Sequence, residues 1–101
     1  MAAFRFSRRA EADLLQIGSH TLEVWGELQT LCYLNALEEC CEILAENPAV
    51  GRAADDVRRG LCRHEHGKHV IFYRAEAKGI LMSRILHQRM LPERHAPEDE
   101  T

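Results

Sequence analysis

His87, Gln88 and Arg89 put three polar hydrogen-bonding side chains in a row, at the end of an otherwise aliphatic stretch that runs from Lys68 to Met90. An imidazole exchanges a proton near neutral pH, and a guanidinium grips phosphate or carboxylate oxygens in a fork. With Arg74 and Arg84 upstream, His87 and Arg89 nominally supply what metal-free cleavage of RNA needs: a base for the 2'-hydroxyl, an acid for the leaving oxygen and a cation on the phosphate. The plainer reading is that His87 and Arg89 are hydrogen-bonding residues at a rim. Together with Arg63, Tyr73, Arg74, Arg84 and Met90 they then make a surface for another macromolecule. Cys62, His64 and His66 alternate on one strand face, with His69 following across a turn. These are ligand types for a transition metal, but a strand face alone gives no closed geometry, so no metal and no other cofactor is expected.

The elements that position these residues follow from periodicity. Val70-Ile71-Phe72-Tyr73 and Ile80-Leu81-Met82 are too short for helices and are bounded by Gly67 and Gly79, which predicts an antiparallel hairpin. Alternation puts Val70, Phe72 and Arg74 on one face and His69, Ile71 and Tyr73 on the other; in the second strand Leu81, Ser83, Ile85 and His87 oppose Ile80, Met82, Arg84 and Leu86. Upstream, Ala3-Phe4-Arg5-Phe6 reads as a short first strand, and Ser7 stands where a helix cap belongs. Ala10, Leu14, Ile17, Thr21 and Trp25 then form the apolar stripe of a helix over about Arg8 to Trp25, stopped by Gly26. Gly18 inside it is expected to let another backbone approach closely. Tyr33, Leu37, Cys40 and Leu44 form the stripe of a second helix, which Asn47-Pro48 ends. Glu38, Glu39, Glu42 and Glu46 give it a solvated acidic face.

Residues 47–60 lack a period and form a long connecting loop. Leu61 to His66 is a further strand. The resulting order, strand, two helices and three strands, predicts an α+β domain: an antiparallel helical hairpin on one face of a mostly antiparallel four-stranded sheet, the other face left open. Residues 1–95 make one domain and 96–101 a polar C-terminal tail.

Composition limits the function classes. A chain of 101 residues that is 46% hydrophobic builds one modest core. No apolar run reaches the roughly 18 residues of a membrane span, so a cytoplasmic location and no membrane partner are expected. Cys32, Cys40, Cys41 and Cys62 lack the spacing of a disulfide framework and read as small buried hydrophobes. The formal charge of -3 is unevenly spread: residues 1–60 carry six arginines against ten acids, whereas residues 61–95 carry seven cations against three acids and five of the six histidines. The basic half suits an acidic protein partner better than nucleic acid, because so few cations make few phosphate contacts. Tyr73 and Trp25 read as core aromatics and not as a stacking platform for bases.

The motifs in order are Phe6-Ser7-Arg8-Arg9-Ala10-Glu11-Ala12-Asp13-Leu14, Trp25-Gly26, Leu44-Ala45-Glu46-Asn47-Pro48, Gly51-Arg52, Gly67-Lys68-His69-Val70-Ile71-Phe72-Tyr73-Arg74 and Ile85-Leu86-His87-Gln88-Arg89-Met90. In this order and spacing they resemble the RelE/ParE superfamily of bacterial toxins, in its ParE-like branch. Arg8 departs from it, since many relatives have Pro there, and so does Gly18. The resemblance implies a toxin of a type II toxin–antitoxin system. A ParD-like antitoxin would wrap it with a disordered segment in a hetero-oligomer. It further implies poisoning of DNA gyrase for ParE-like members and ribosome-dependent mRNA cleavage for RelE-like ones. A gyrase-binding, non-enzymatic toxin with no direct sequence-specific nucleic acid contact is the expectation. The alternatives are an mRNA interferase and a non-toxic antitoxin-binding relative.

Overall fold

The computed structural model describes residues 3–90. The expected domain end at residue 95 and the tail 96–101 lie outside them. Strand β1 (Ala3–Phe6) leads into helices α1 (Arg8–Trp25) and α2 (Glu27–Glu46); a 3-10 turn (Pro48–Val50) and β2 (Arg52–Ala53) follow, then β3 (Cys62–His66), β4 (His69–Glu76) and β5 (Gly79–His87). Ser7 caps α1 by accepting from the Ala10 N–H at 3.0 Å. Gly26 ends α1 and starts α2 with φ of 86°, a left-handed conformation that side chains resist, so the two helices fold back as a hairpin.

The sheet has five strands in the order β1-β5-β4-β3-β2, one more than predicted. The extra strand hides in the aperiodic loop because it is two residues long, Arg52 and Ala53 pairing with Arg63 and Cys62. All pairings are antiparallel except that of β1 with β5, which brings the start of the chain beside its last strand. On the helical side Ile17, Leu37, Cys41 and Leu44 pack on Ile71, Tyr73, Ile80, Met82 and Ile85, with Phe4 and Phe6 alongside. Periodicity predicts this core except in β5 after Met82, where Ile85 and not Leu86 joins it.

Four expectations fail. The opposite sheet face is not open: Ala54, Val57 and Leu61 of the loop, with Met90, cover Val70, Phe72 and Leu86. An aliphatic face left wet would forfeit roughly 25 cal/mol per Å², and the aperiodic loop carries enough apolar residues to cover it. Trp25 ends the α1 stripe but is 68% exposed, at the tip of the hairpin where Gly26 turns the chain into α2. Gly18 permits no unusual approach; a Cβ there would meet Leu34 Cδ1 at an ordinary 3.8 Å. Cys41 is buried and its thiol is pushed up to about 12 by that burial, whereas Cys32 is exposed and not a core residue.

Candidate functional site

The site begins with an irregularity in β5. Met82 lies opposite Tyr73 and Arg84 opposite Phe72, so Ser83 has no partner and forms a bulge. The extra residue inverts the alternation, which is why Met82 and Ile85 share the helical core while Leu86 turns to the other face. The bulge sits where β1 leaves. Beyond the Phe6–Met82 pair the edge of β5 is completed by side chains: Ser7 Oγ donates to the Ser83 carbonyl at 2.7 Å, and Asp13 Oδ2 accepts from the Ile85 N–H at 2.9 Å.

Asp13 also holds Arg84. Its two carboxylate oxygens accept from Arg84 Nε at 2.8 Å and from a terminal nitrogen at 2.9 Å, and both side chains are about nine-tenths buried. A desolvated guanidinium committed to a bidentate pair is a structural tie between α1 and β5. Arg84 is therefore neither a phosphate clamp nor a partner-binding residue. Tyr73 is likewise withdrawn from the surface: its ring lies in the helical core, its hydroxyl donates to the Pro48 carbonyl at 2.6 Å, and burial raises its pKa. Gly51 makes room for that hydroxyl, since a Cβ there would stand 2.0 Å from it.

Arg74 pairs with Leu81, whereas His87 pairs with His69 at the other end of the same hairpin. Five residues along a strand are about 17 Å, so Arg74 does not reach the same substrate atom as His87. The quartet nominated for RNA cleavage is thus not assembled. Arg63, His87, Arg89 and Met90 do meet, around a cavity of about 200 Å³ floored by Val70, Phe72 and Leu86. The Arg63 guanidinium lies over the Phe72 ring at 5.6 Å, a cation–π contact that fixes a charge above an apolar floor. Its buried Nε has no hydrogen-bond partner among the described residues, and Glu65 Oε2 stands 3.9 Å off. The turn after β5 is held by the Gln88 N–H to the Lys68 carbonyl at 2.8 Å and by the Arg89 N–H to His87 Nδ1 at 3.1 Å. An apolar floor, two guanidinium groups and an imidazole can seat an acidic or aromatic residue of a partner.

Among the described residues no three His, Cys, Asp or Glu side chains stand close enough to share a metal ion. Instead His69 Nδ1 contacts the Tyr33 hydroxyl at 2.5 Å, and that hydroxyl donates to the His66 carbonyl at 3.2 Å. Burial, and secondarily His87, His66 and His20, hold the His69 pKa below its ordinary value.

Sequence reasoning missed a second surface, on the helices. Leu15, Leu28 and Leu31 are 74%, 81% and 58% exposed, and Leu22 and Ile43 are also at the surface. Of these Leu15 borders an apolar groove of about 480 Å³ between α1, α2 and β1, lined also by Phe6, Leu14, Leu34, Leu37 and Cys41, with Glu11 and Glu38 in its walls. The signal was present: Leu28, Leu31, Leu34 and Leu37 at threes drift around α2, so no single stripe can bury them all. Apolar surface gathered in this way marks an interaction site.

A family model described as "ParE toxin of type II toxin-antitoxin system, parDE" matches residues 4–92. A protein named Toxin ParE1 from Caulobacter vibrioides is 37% identical over 95 residues, covering 94% of this chain and 98% of its own length. Toxin ParE1 from Mycobacterium tuberculosis is 38% identical over 88 residues, covering 86% and 90%. A structure titled "Chromosomal ParDE TA system from P. aeruginosa" shares the fold, with a TM-score of 0.72 at 22% identity over 86% of this chain and 96% of that one.

Proposed function

This chain belongs to the ParE toxin family of type II toxin–antitoxin systems, and from that premise we propose that it arrests growth by binding DNA gyrase and is silenced by a cognate ParD-like antitoxin in a hetero-oligomer. The observation that carries the antitoxin half is the uncovered apolar surface of the helical hairpin, where Leu15 is 74% exposed on the wall of a groove of about 480 Å³. Water in contact with that much aliphatic surface is released when an amphipathic segment of a partner folds onto it. The gyrase half is supported by the cavity that joins Arg63, His87, Arg89 and Met90, which offers charge and an apolar floor to a protein. Inhibition by binding needs no assembled catalytic set, and Arg84 is tied up by Asp13. A cytoplasmic location follows from that target; among the described residues no helix is long and apolar enough to cross a membrane.

A supercoiling assay with purified chain tests the target: gyrase stalls at toxin excess, and added antitoxin restores it. Unaffected gyrase together with cleaved transcripts in a translation extract would establish the interferase instead. Growth unaltered by induced expression would leave an antitoxin-binding relative without toxicity. Calorimetric titration with the antitoxin is expected to give a strongly negative heat-capacity change.

A further inference from the structure

On the helical side of the turn after β5, sharing His87 and Met90 with the cavity of Arg63 and Arg89, a second cavity of about 250 Å³ opens between α1 and the end of the β4–β5 hairpin. Three imidazoles from three elements wall it: His20 from α1, His69 from β4 and His87 from β5. Ile17, Ile85 and Met90 supply apolar lining. The rings of His69 and His87 stand edge to face, 5.6 Å apart.

Hydrogen bonding at Nδ1 of each ring assigns the proton at Nε2. His87 Nδ1 accepts from the Arg89 N–H, so a neutral His87 carries its proton on Nε2 and is a donor there. The Tyr33 hydroxyl is spent on the His66 carbonyl, so His69 satisfies it best by donating from Nδ1. A neutral His69 then has a bare Nε2; only with a second proton does it join His87 as a donor.

We propose that this cavity receives the carboxylate of an acidic side chain carried by a protein partner, clamped between His69 Nε2 and His87 Nε2, and that one proton is taken up on His69 as it binds. The charged and titratable groups around His69 are Tyr33 on α2, His66 on β3, His87 on β5, and His20 and Asp13 on α1, the last neutralised by Arg84. All but that paired carboxylate are neutral or positive at mildly acidic pH, and burial disfavours the charged imidazole until an anion arrives. A carboxylate fits better than a phosphate, because no Arg or Lys lines the cavity while Ile17, Ile85 and Met90 suit the methylene stem of Glu or Asp. Only the source of the carboxylate rests on the reading of the chain as an antitoxin-bound toxin.

The test is a nuclear magnetic resonance titration of the imidazoles of the full chain, between about pH 5 and 8, in sodium chloride, sodium propionate or inorganic phosphate at equal ionic strength. Propionate is expected to raise the His69 midpoint by about half a unit or more over chloride, with shifts at His87 and Met90. Equal midpoints in propionate and chloride overturn the proposal, and a larger rise in phosphate overturns the choice of carboxylate. His87→Ala is expected to shrink the propionate effect; an undiminished effect also overturns the clamp. Antitoxin binding heats in two buffers of different ionisation enthalpy then report the source. Binding without proton uptake overturns this proposal and leaves the antitoxin reading standing, whereas no binding overturns that reading and with it the source.

Discussion

The two halves of β5 run in one strand but are held differently. Residues Gly79 to Met82 lie between two strands, β1 and β4, and their edges are satisfied by backbone alone. From Ser83 onward one edge is completed by the Ser7 hydroxyl and the Asp13 carboxylate, and Arg84 is folded into that arrangement. Backbone pairing tolerates any apolar residue of suitable size, whereas a side-chain edge needs the named residues. The first half is therefore replaceable structure, and the second half is where specific chemistry resides.

Breaking the second half should have the largest effect. Asp13→Ala leaves a buried guanidinium without its anion and is expected to cost about 3–5 kcal/mol in chemical denaturation. Asp13→Leu with Arg84→Met is expected to recover most of that loss, since a well-packed apolar pair replaces a costly ionic one. Met82→Ala, in the first half, should cost about 2–4 kcal/mol through the cavity it opens, without altering the pH dependence of unfolding.

That pH dependence sharpens the contrast, because His69 lies beside the second half of β5. Its folded pKa is depressed, so the stability gained by burying the neutral ring is complete above the unfolded value near 6.5. It is lost as pH falls through that value towards the folded one. Melting temperatures of the wild type are expected to fall more steeply below about pH 6.5 than those of His69→Gln. Away from β5, Gly18→Ala should stabilise by about 0.5–1 kcal/mol, since the methyl has room and α1 gains helix propensity. Arg89→Ala should move stability by no more than about 0.5 kcal/mol. It should nonetheless weaken the gyrase inhibition proposed above, as read in a supercoiling assay, which separates the rim from the scaffold.

The same division explains what the sequence disclosed. Helix limits at Ser7, Gly26 and Asn47, the strands at Cys62, His69 and Gly79, and the core set of Leu37, Leu44, Ile71 and Met82 all follow from local pattern and capping chemistry. Arg63, His87, Arg89 and Met90 could be nominated by type, and they do share a cavity. Arg84 could not be told from them, because nothing local says that a carboxylate 71 positions earlier will claim it. The bulge at Ser83 defeated the alternation rule for the same reason: it answers to where β1 ends and not to its own neighbours. The two-residue β2 and the loop that covers Phe72 carry no period to detect.

The parallel pairing of Ala3–Phe6 with Gly79–Met82 has a consequence for synthesis on the ribosome. Strand β1 is made before β5, yet β5 is its hydrogen-bonding neighbour and the last strand among the described residues. Until then Phe4 and Phe6 have no finished bed, and long-range closure of this kind is the slow step in assembling a sheet. Synthesis thus includes an interval in which β1 has been made but the sheet it belongs to cannot yet close.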